Sequence, residues 1–247
     1  MFAAVALVLP VILMLAGCAT RPPASDPEAV AEFDANNDPY EPFNRSMFAV
    51  HQAIDTAVLR PINVAYRVLP LPIRNSVSSV LSNLRTPVVL LNDMLQGQPR
   101  RAGDTLGRFV VNTTVGLGGI FDVANSYFGV PAHYEDFGQT LATFGVGEGP
   151  FLFIPVLGPS NPRDLFGMGV DLAAQPLTWV GQGLVVDILS GVRGGAIALD
   201  NRDYFFEVID DLNRTSLDPY AALRSARRQA RAAAIANRDA TGRIRPN

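Results

Sequence analysis

Residues 165–190 read LFGMGVDLAAQPLTWVGQGLVVDILS. The run is almost apolar enough for a membrane-spanning helix, and whether it spans decides the fold. Asp171, Gln175, Pro176, Gln182 and Asp187 argue that it does not, because each polar group at mid-bilayer is costly unless paired. The proline divides the run into two helices, 163–174 and 176–190, the second carrying Leu177, Val180, Leu184 and Ile188 in register. Two amphipathic helices lying in a membrane interface, with Trp179 at headgroup depth, satisfy this pattern. A helix pair in the core of an ordinary globule satisfies it too.

Working outward, the apolar period stays helical. Phe43, Met47, Val50, Ile54 and Val58 form one stripe, which the Arg60-Pro61 step should close. Ile73, Val77, Val80 and Leu84 form a second. Thr86 then reads as a cap, Pro87 as the first position of a new helix and Gly97 as its stop. Leu106, Phe109, Val110 and Thr113 make a third stripe that ends in Gly116, Gly118 and Gly119, and Phe137, Leu141 and Phe144 continue the theme. Helices over 200–212 and 219–236 complete an all-α reading. The run 151–157 is short, proline-interrupted and without a partner of matched alternation, so no strand pair is expected. Frequent glycines and prolines suit many short helices bending around something better than a long bundle.

Composition points to a membrane surface. Of 247 residues, 48% are apolar and only 17% charged, against roughly 25% charged in soluble domains. The N-terminal MFAAVALVLPVILMLAGC is too short for a span and reads as a signal peptide, although no Lys or Arg precedes its apolar core. Its end, Leu15-Ala16-Gly17-Cys18, matches a bacterial lipobox, which makes Cys18 the acylated first residue of the mature chain. Cys18 is the only cysteine, so no internal disulfide is available. Ala19, where an aspartate would retain a lipoprotein in the inner membrane, favours the outer membrane. We divide the chain into a leader (1–17), a lipidated flexible tether (18–37) rich in Pro, Ala and acids, a single helical domain (38–236) and a basic tail (237–247).

Every basic residue is arginine. Up to residue 217, thirteen Arg face twenty-one Asp plus Glu; residues 218–247 hold seven Arg and two Asp. The body is acidic and no basic-aromatic interleaving is present, which excludes nucleic acid as a partner. The stretch 217–238 reads as a solvated helix fraying into a tail or resting on anionic headgroups.

Catalytic chemistry is thinly provided. His51 and His133 are far apart, there is no spare cysteine and no HExxH, so neither a zinc site nor any other metal or cofactor site is expected. Gly158-Pro159-Ser160-Asn161-Pro162 lacks the second glycine of a nucleophile elbow and has prolines where that turn cannot take them. The glycine clusters at 116–119 and 145–149 lack the Lys-Ser/Thr pair of a phosphate loop. Glu135 and Asp136 are adjacent and point apart, so they are poor candidates for paired-carboxylate chemistry.

An ordered series of segments then identifies a resemblance. Asp38-Pro39-Tyr40-Glu41-Pro42-Phe43-Asn44-Arg45, Arg60-Pro61, Asn92-Asp93-Met94-Leu95-Gln96-Gly97, the run 107–116, Asp136-Phe137-Gly138-Gln139-Thr140-Leu141, Gly158-Pro159-Ser160, Arg163-Asp164 and Leu217-Asp218-Pro219-Tyr220-Ala221 with Arg224 resemble the MlaA (VacJ) family of outer-membrane lipoproteins. Ala142 stands where the family commonly has glycine, and Arg227 where it usually has an aromatic residue. The resemblance implies an all-α ring of many short amphipathic helices around a central channel, embedded in one membrane leaflet. It also implies transport without catalysis, in which phospholipids misplaced in the outer leaflet pass through the channel to a periplasmic lipid-carrier protein, with an outer-membrane porin trimer as a further partner. A membrane-anchored lipid hydrolase using Ser160 and a structural porin-associated lipoprotein are the alternatives.

Two groups of residues are candidates for the lipid route. In 145–164, Gly145, Gly147 and Gly149 give backbone freedom ahead of an apolar hairpin containing Phe151, Phe153 and Pro155, which we expect to lie against the pathway as a gate. Asn44, Asn92, Asp93 and Asn112, polar on otherwise apolar segments, are candidates to line the channel; each could equally cap a helix or satisfy a buried backbone group.

Overall fold

The computed structural model describes residues 22–23, 25–179 and 184–237. The leader, Cys18 and the tail beyond 237 lie outside these residues, as do Val180 and Gln182. The register drawn for Leu177, Val180, Leu184 and Ile188, and the depth expected of Trp179, fall outside the described side chains.

The chain is mostly helical. Helix α1, Pro27–Asn36, occupies part of what we read as a flexible tether: Asp26 caps it by accepting from the Ala29 N–H, and Asn37 closes it in the left-handed region. Helix α2, Glu41–Ile54, runs without interruption through a π turn, Asp55–Leu59, into α3, Arg60–Tyr66. Arg60-Pro61 therefore does not stop the helix. The wider turn passes the Arg60 N–H to the Asp55 carbonyl, and Pro61 falls in the first turn of α3, where its missing N–H costs nothing.

The break expected at Thr86-Pro87 is also absent. Helix α4, Leu71–Leu95, runs through Pro87, and the Thr86 hydroxyl donates to the Ser82 carbonyl one turn back. Gly97, at φ +68°, turns the chain into α5, Pro99–Thr114, which packs along α4. In the following loop, a Cβ on Gly119 (φ +97°) would lie 2.5 Å from the Asn83 Cβ, so only glycine lets the loop close on α4.

Helices α6, Val123–Phe128, and α7, Phe137–Thr143, are capped by Asp122 and Asp136. A two-stranded antiparallel hairpin follows, β1 Leu152–Ile154 and β2 Gly158–Ser160, with Phe153 opposite Pro159. Sequence alternation alone gave no matched strand pair. The pairing is secured by side chains from elsewhere and by a tight turn with Val156 at φ +69° and Gly158 at φ +90°. Helix α8, Pro162–Ala174, capped by Asn161, crosses α7 at Gly167, where a Cβ would sit 2.3 Å from the Gly138 nitrogen. After α9, Pro176–Trp179, come α10, Leu184–Tyr204, α11, Phe206–Thr215, and α12, Pro219–Ile235. Residues 200–204 thus belong to α10, and the boundary lies at Phe205. Among the described residues no helix is long and apolar enough to cross a membrane.

The interior is inverted relative to a water-soluble globule. Among the described residues seven hydrophobic side chains are buried and twenty-two polar or charged ones, while twenty-nine large hydrophobics are exposed. On α5, Thr105, Arg108 and Asn112 point inward and Leu106 and Val110 outward. On α2 and its π turn, Asn44 and Asp55 are buried and Val50 and Val58 exposed. Parts of the apolar stripes of the sequence, Val50, Val58, Ile73, Leu106 and Val110, therefore face away from the interior, while Met47 packs against the aromatic core.

Candidate functional site

The hairpin is fastened at its root by polar side chains. The Asn37 amide donates to the Gly149 carbonyl (2.7 Å) and to Glu148 Oε1 (2.9 Å), and the Asn37 carbonyl accepts from the Phe151 N–H. Asn44, with no exposed surface, clamps β1: its amide donates to the Phe151 carbonyl and its oxygen accepts from the Phe153 N–H. His51 Nδ1 accepts the Val156 N–H at 3.0 Å. Phe151 and Phe153 are buried in an aromatic cluster with Tyr220, and Phe48 stands edge-on to Phe153 at 5.3 Å. The apolar surface that this segment presents therefore consists of Phe144, Val146, Val156 and Leu157, with Phe151 and Phe153 as its anchors. Gly145, at φ +84°, and Gly147 have open space around them, whereas Gly149 is held against the Pro162 ring. Pro155 is half-buried beside the turn.

Asp38 joins this cluster to α12. Its carboxylate accepts from the Tyr220 hydroxyl, from Arg224 at 2.7 Å and from Asn44 at 2.7 Å. Burial, then the hydrogen bond to Asp38 and its charge, push the Tyr220 hydroxyl well above its ordinary range, so it stays a donor. At the start of α12, the hydrogen bond from Arg45 lowers Asp218 to about 2.

A second interior lies between α4, α5, α7 and α8. Asp93 is fully buried and accepts from the Thr105 hydroxyl at 2.6 Å, with His133 Nε2 at 3.0 Å from both of its oxygens. Arg101 bonds Glu135 at 2.7 Å and Gln96 bonds the other Glu135 oxygen. The Thr140 hydroxyl donates to Asn92, whose amide donates to Asp171. Asn112 receives the Ala124 N–H and donates to Asp122, which also binds Arg108. Burial raises Glu135 and Asp171 above the usual carboxylate range. Burial opposes the Asp136 charge too, but the hydrogen bonds and charge of Arg231 outweigh it and hold that carboxyl below its usual range.

The four polar candidates are thus brought into two places, Asn44 under the hairpin and Asn92, Asp93 and Asn112 in the second interior, and each is hydrogen-bonded to protein groups. Glu135 and Asp136 do point apart, to Arg101 and Arg231. Helix α12, read from sequence as solvated, is half interior: Arg224 and Arg231 are buried, the latter bonding Asp136 at 2.6 Å and Asp164 at 2.8 Å. Their spacing of one heptad was a legible sign of a shared face, but nothing in the sequence paired them with acids 60 to 190 residues away.

Among the described residues no nucleophilic site assembles around Ser160. Ser160 faces Glu148 and a row of arginines, and His133 is engaged with Asp93. Among the described residues no group of three or more His, Cys, Asp or Glu could hold a metal.

The family described as MlaA lipoprotein matches residues 36–234. The chain belongs to the MlaA lipoprotein family. An uncharacterized Rickettsia felis protein is 36% identical over 203 residues, covering 80% of this chain and 78% of its own. The Escherichia coli (strain K12) relative, named intermembrane phospholipid transport system lipoprotein MlaA, is 34% identical over 219 residues, 86% of this chain and 81% of its own. The Haemophilus influenzae protein of the same name is 32% identical, with 87% and 83% covered. These two are named as transport-system components and not as enzymes. A solved chain from work on the structural basis for maintenance of bacterial outer membrane lipid asymmetry superposes with a TM-score of 0.71 at 32% identity, over 80% of this chain and 98% of its own. The MlaA fold is thus shared by chain and relatives alike.

Proposed function

We propose that this protein is an outer-membrane lipoprotein, anchored through Cys18 on the periplasmic side, that removes misplaced phospholipids from the outer leaflet and hands them to a periplasmic lipid carrier. The observation that carries this reading is the inverted distribution: buried Asn, Asp and Arg side chains inside, and exposed Val, Leu, Ile and Phe outside. So many exposed large apolar side chains are favourable where acyl chains or a partner replace water. Acyl chains covering it stabilise each such side chain by up to about 1.5–3 kcal/mol. With no helix suited to crossing a bilayer among the described residues, the apolar faces match one leaflet, and the helices form a ring whose polar centre lets a headgroup through. Relatives named for intermembrane phospholipid transport support the same cargo.

In this reading Gly145 and Gly147 form the hinge of a gate, and the exposed apolar tip of the hairpin borders the acyl path. Phe151, Phe153 and the Gly149–Pro162 contact keep its base in place, while Asn44, Asn92, Asp93 and Asn112 fasten the wall and do not line the opening. An outer-membrane porin trimer covers part of the apolar exterior. The test has two arms. Full-length lipidated protein is purified in detergent and its bound lipid analysed, and phospholipid in the outer leaflet is measured in a deletion strain. Co-purified phospholipid and a rise in outer-leaflet phospholipid are expected; absence of both overturns the proposal, as does release of fatty acid from vesicles by the pure protein.

A further inference from the structure

The turn of the hairpin is lightly held. Val156 is β-branched and stands at φ +69°, in the left-handed region that such side chains avoid. Val156 and Leu157 each keep 48% of their surface exposed. Strand β1 is fixed by Asn44 and by the rings of Phe48 and Tyr220 around Phe153, and these contacts stop short of the turn. Among the described residues, one side chain hydrogen-bonds residues 155–157 from outside: His51 Nδ1 accepts the Val156 N–H at 3.0 Å. Phe153 steadies that ring, edge-on with centroids 5.5 Å apart.

An imidazole nitrogen accepts only when it carries no proton, so this bond exists with the ring neutral and its hydrogen on Nε2. Protonation places an N–H where the lone pair was, facing the Val156 N–H, and two donors repel. The charged groups around His51 are few. Asp55, one turn further along the helix, is buried and tied to Arg202 at 2.8 Å. Arg202 comes from α10 and also bonds Asp210 of α11. Tyr220 of α12 lies across Phe153 as a neutral hydroxyl, and residues 152–160 of the hairpin carry no titratable side chain. Burial, opposed by the Asp55 charge and reinforced by that of Arg202, lowers the His51 pKa. The neutral ring is therefore the folded form. Its bond is fully present above the ordinary imidazole value and is lost as pH falls through the lowered folded one.

We propose that His51 is a pH-operated latch on the hairpin: neutral, it holds the turn through Val156, and protonated, it lets the turn go. Release leaves the hairpin folded, because Asn44 and the aromatic core still grip β1. It removes the one outside bond that keeps Val156 in its strained conformation and frees an apolar tip, Val156 and Leu157, to move. That the freed tip opens a lipid path rests on the transport reading; the latch itself rests on the hydrogen bond and the turn.

The test is electron paramagnetic resonance of a nitroxide on Leu157→Cys in the full-length protein in detergent, with the signal of the parent chain, whose only cysteine is Cys18, subtracted. Between about pH 8 and about pH 5, the ratio of mobile to immobile label should rise about tenfold, the weight of one hydrogen bond. In His51→Asn, whose side-chain oxygen takes the place of Nδ1 and does not titrate, the label should stay immobile throughout. In His51→Phe, which keeps a ring against Phe153 but has no acceptor, it should be mobile throughout. A nitroxide on Ala226→Cys, exposed on α12, should not respond, which separates release of the turn from acid unfolding. An unchanged ratio with His51 present, the same acid response in His51→Asn, an immobile label in His51→Phe, or equal loosening at Ala226 overturns the latch. None of these outcomes depends on lipid transfer, so the latch can fail while the transport reading stands, and the reverse.

Discussion

The two interiors of this protein are built on opposite principles. Around Phe151, Phe153 and Tyr220, aromatic rings pack edge to face and the backbone of β1 is clamped by a single asparagine. That is a small water-excluding core of the usual kind. Between α4, α5, α7 and α8, the buried groups are Asn92, Asp93, Thr105, Glu135 and Thr140, in two hydrogen-bonded sets, Asp93 with Thr105 and Asn92 with Thr140, Gln96 and Glu135, that Arg101 bridges by ion pairs to Asp93 and Glu135. A buried polar network is strong only when every member is satisfied, because an orphaned charge in low dielectric is expensive. The difference teaches that a protein whose apolar faces are turned outward must hold its elements together from within by hydrogen bonds and ion pairs. The aromatic core is kept for the place where the hairpin has to be rooted.

If that contrast is right, the largest loss comes from breaking an ion pair. Arg231→Ala leaves half-buried Asp136 without its cation and buried Asp164 with only Arg163 in hydrogen-bond reach, and should cost about 3 kcal/mol, the low end for a broken buried pair, measured by denaturant unfolding in detergent at neutral pH. The sign of its pH dependence follows from Asp136. Arg231 depresses the folded pKa of this carboxyl, so the pair stabilises above the unfolded carboxylate pKa, and that contribution fades as pH falls through the folded one. The gap between Arg231→Ala and the native chain should therefore narrow in acid. A gap independent of pH would mean that α12 is held by packing.

Truncating the aromatic core should cost no more. Phe153→Ala is expected to destabilise by roughly 3 kcal/mol, the low end for this change, because an edge hairpin can partly collapse into the space. Its loss should not vary with pH through the carboxylate range, which distinguishes the two interiors within one experiment.

The smallest stability effect, with the largest functional one, belongs to the hinge. Gly145 has φ +84° and Gly147 does not share that constraint. Replacing both with alanine should cost on the order of 1 kcal/mol, nearly all of it at Gly145. Phospholipid transfer, followed as outer-leaflet phospholipid in cells, should fall well beyond what the lost folded protein explains. Equal losses of folding and transfer would make this segment a structural turn.

The amino-acid sequence by itself determined which residues share a helix face, because a period of 3.6 is a local property of the chain. It determined the turn at Gly97 and the polar interruptions that argue against a spanning helix over 165–179, whereas the caps at Asp122, Asp136 and Asn161 emerged only with the structure. It did not determine which way each face points. A stripe such as Leu106 and Val110 is equally apolar whether it meets a protein core or acyl chains, and only the position of Thr105, Arg108 and Asn112 against α4 and α6 shows that the polar side is inside. Helix continuity was also decided beyond the local sequence. Pro61 and Pro87 are tolerated because a π turn takes up the first and the long packing of α5 along α4 supports the helix around the second. The partners of Arg224 and Arg231 lie far away along the chain, so the ion pairs that close the molecule are consequences of the tertiary structure alone.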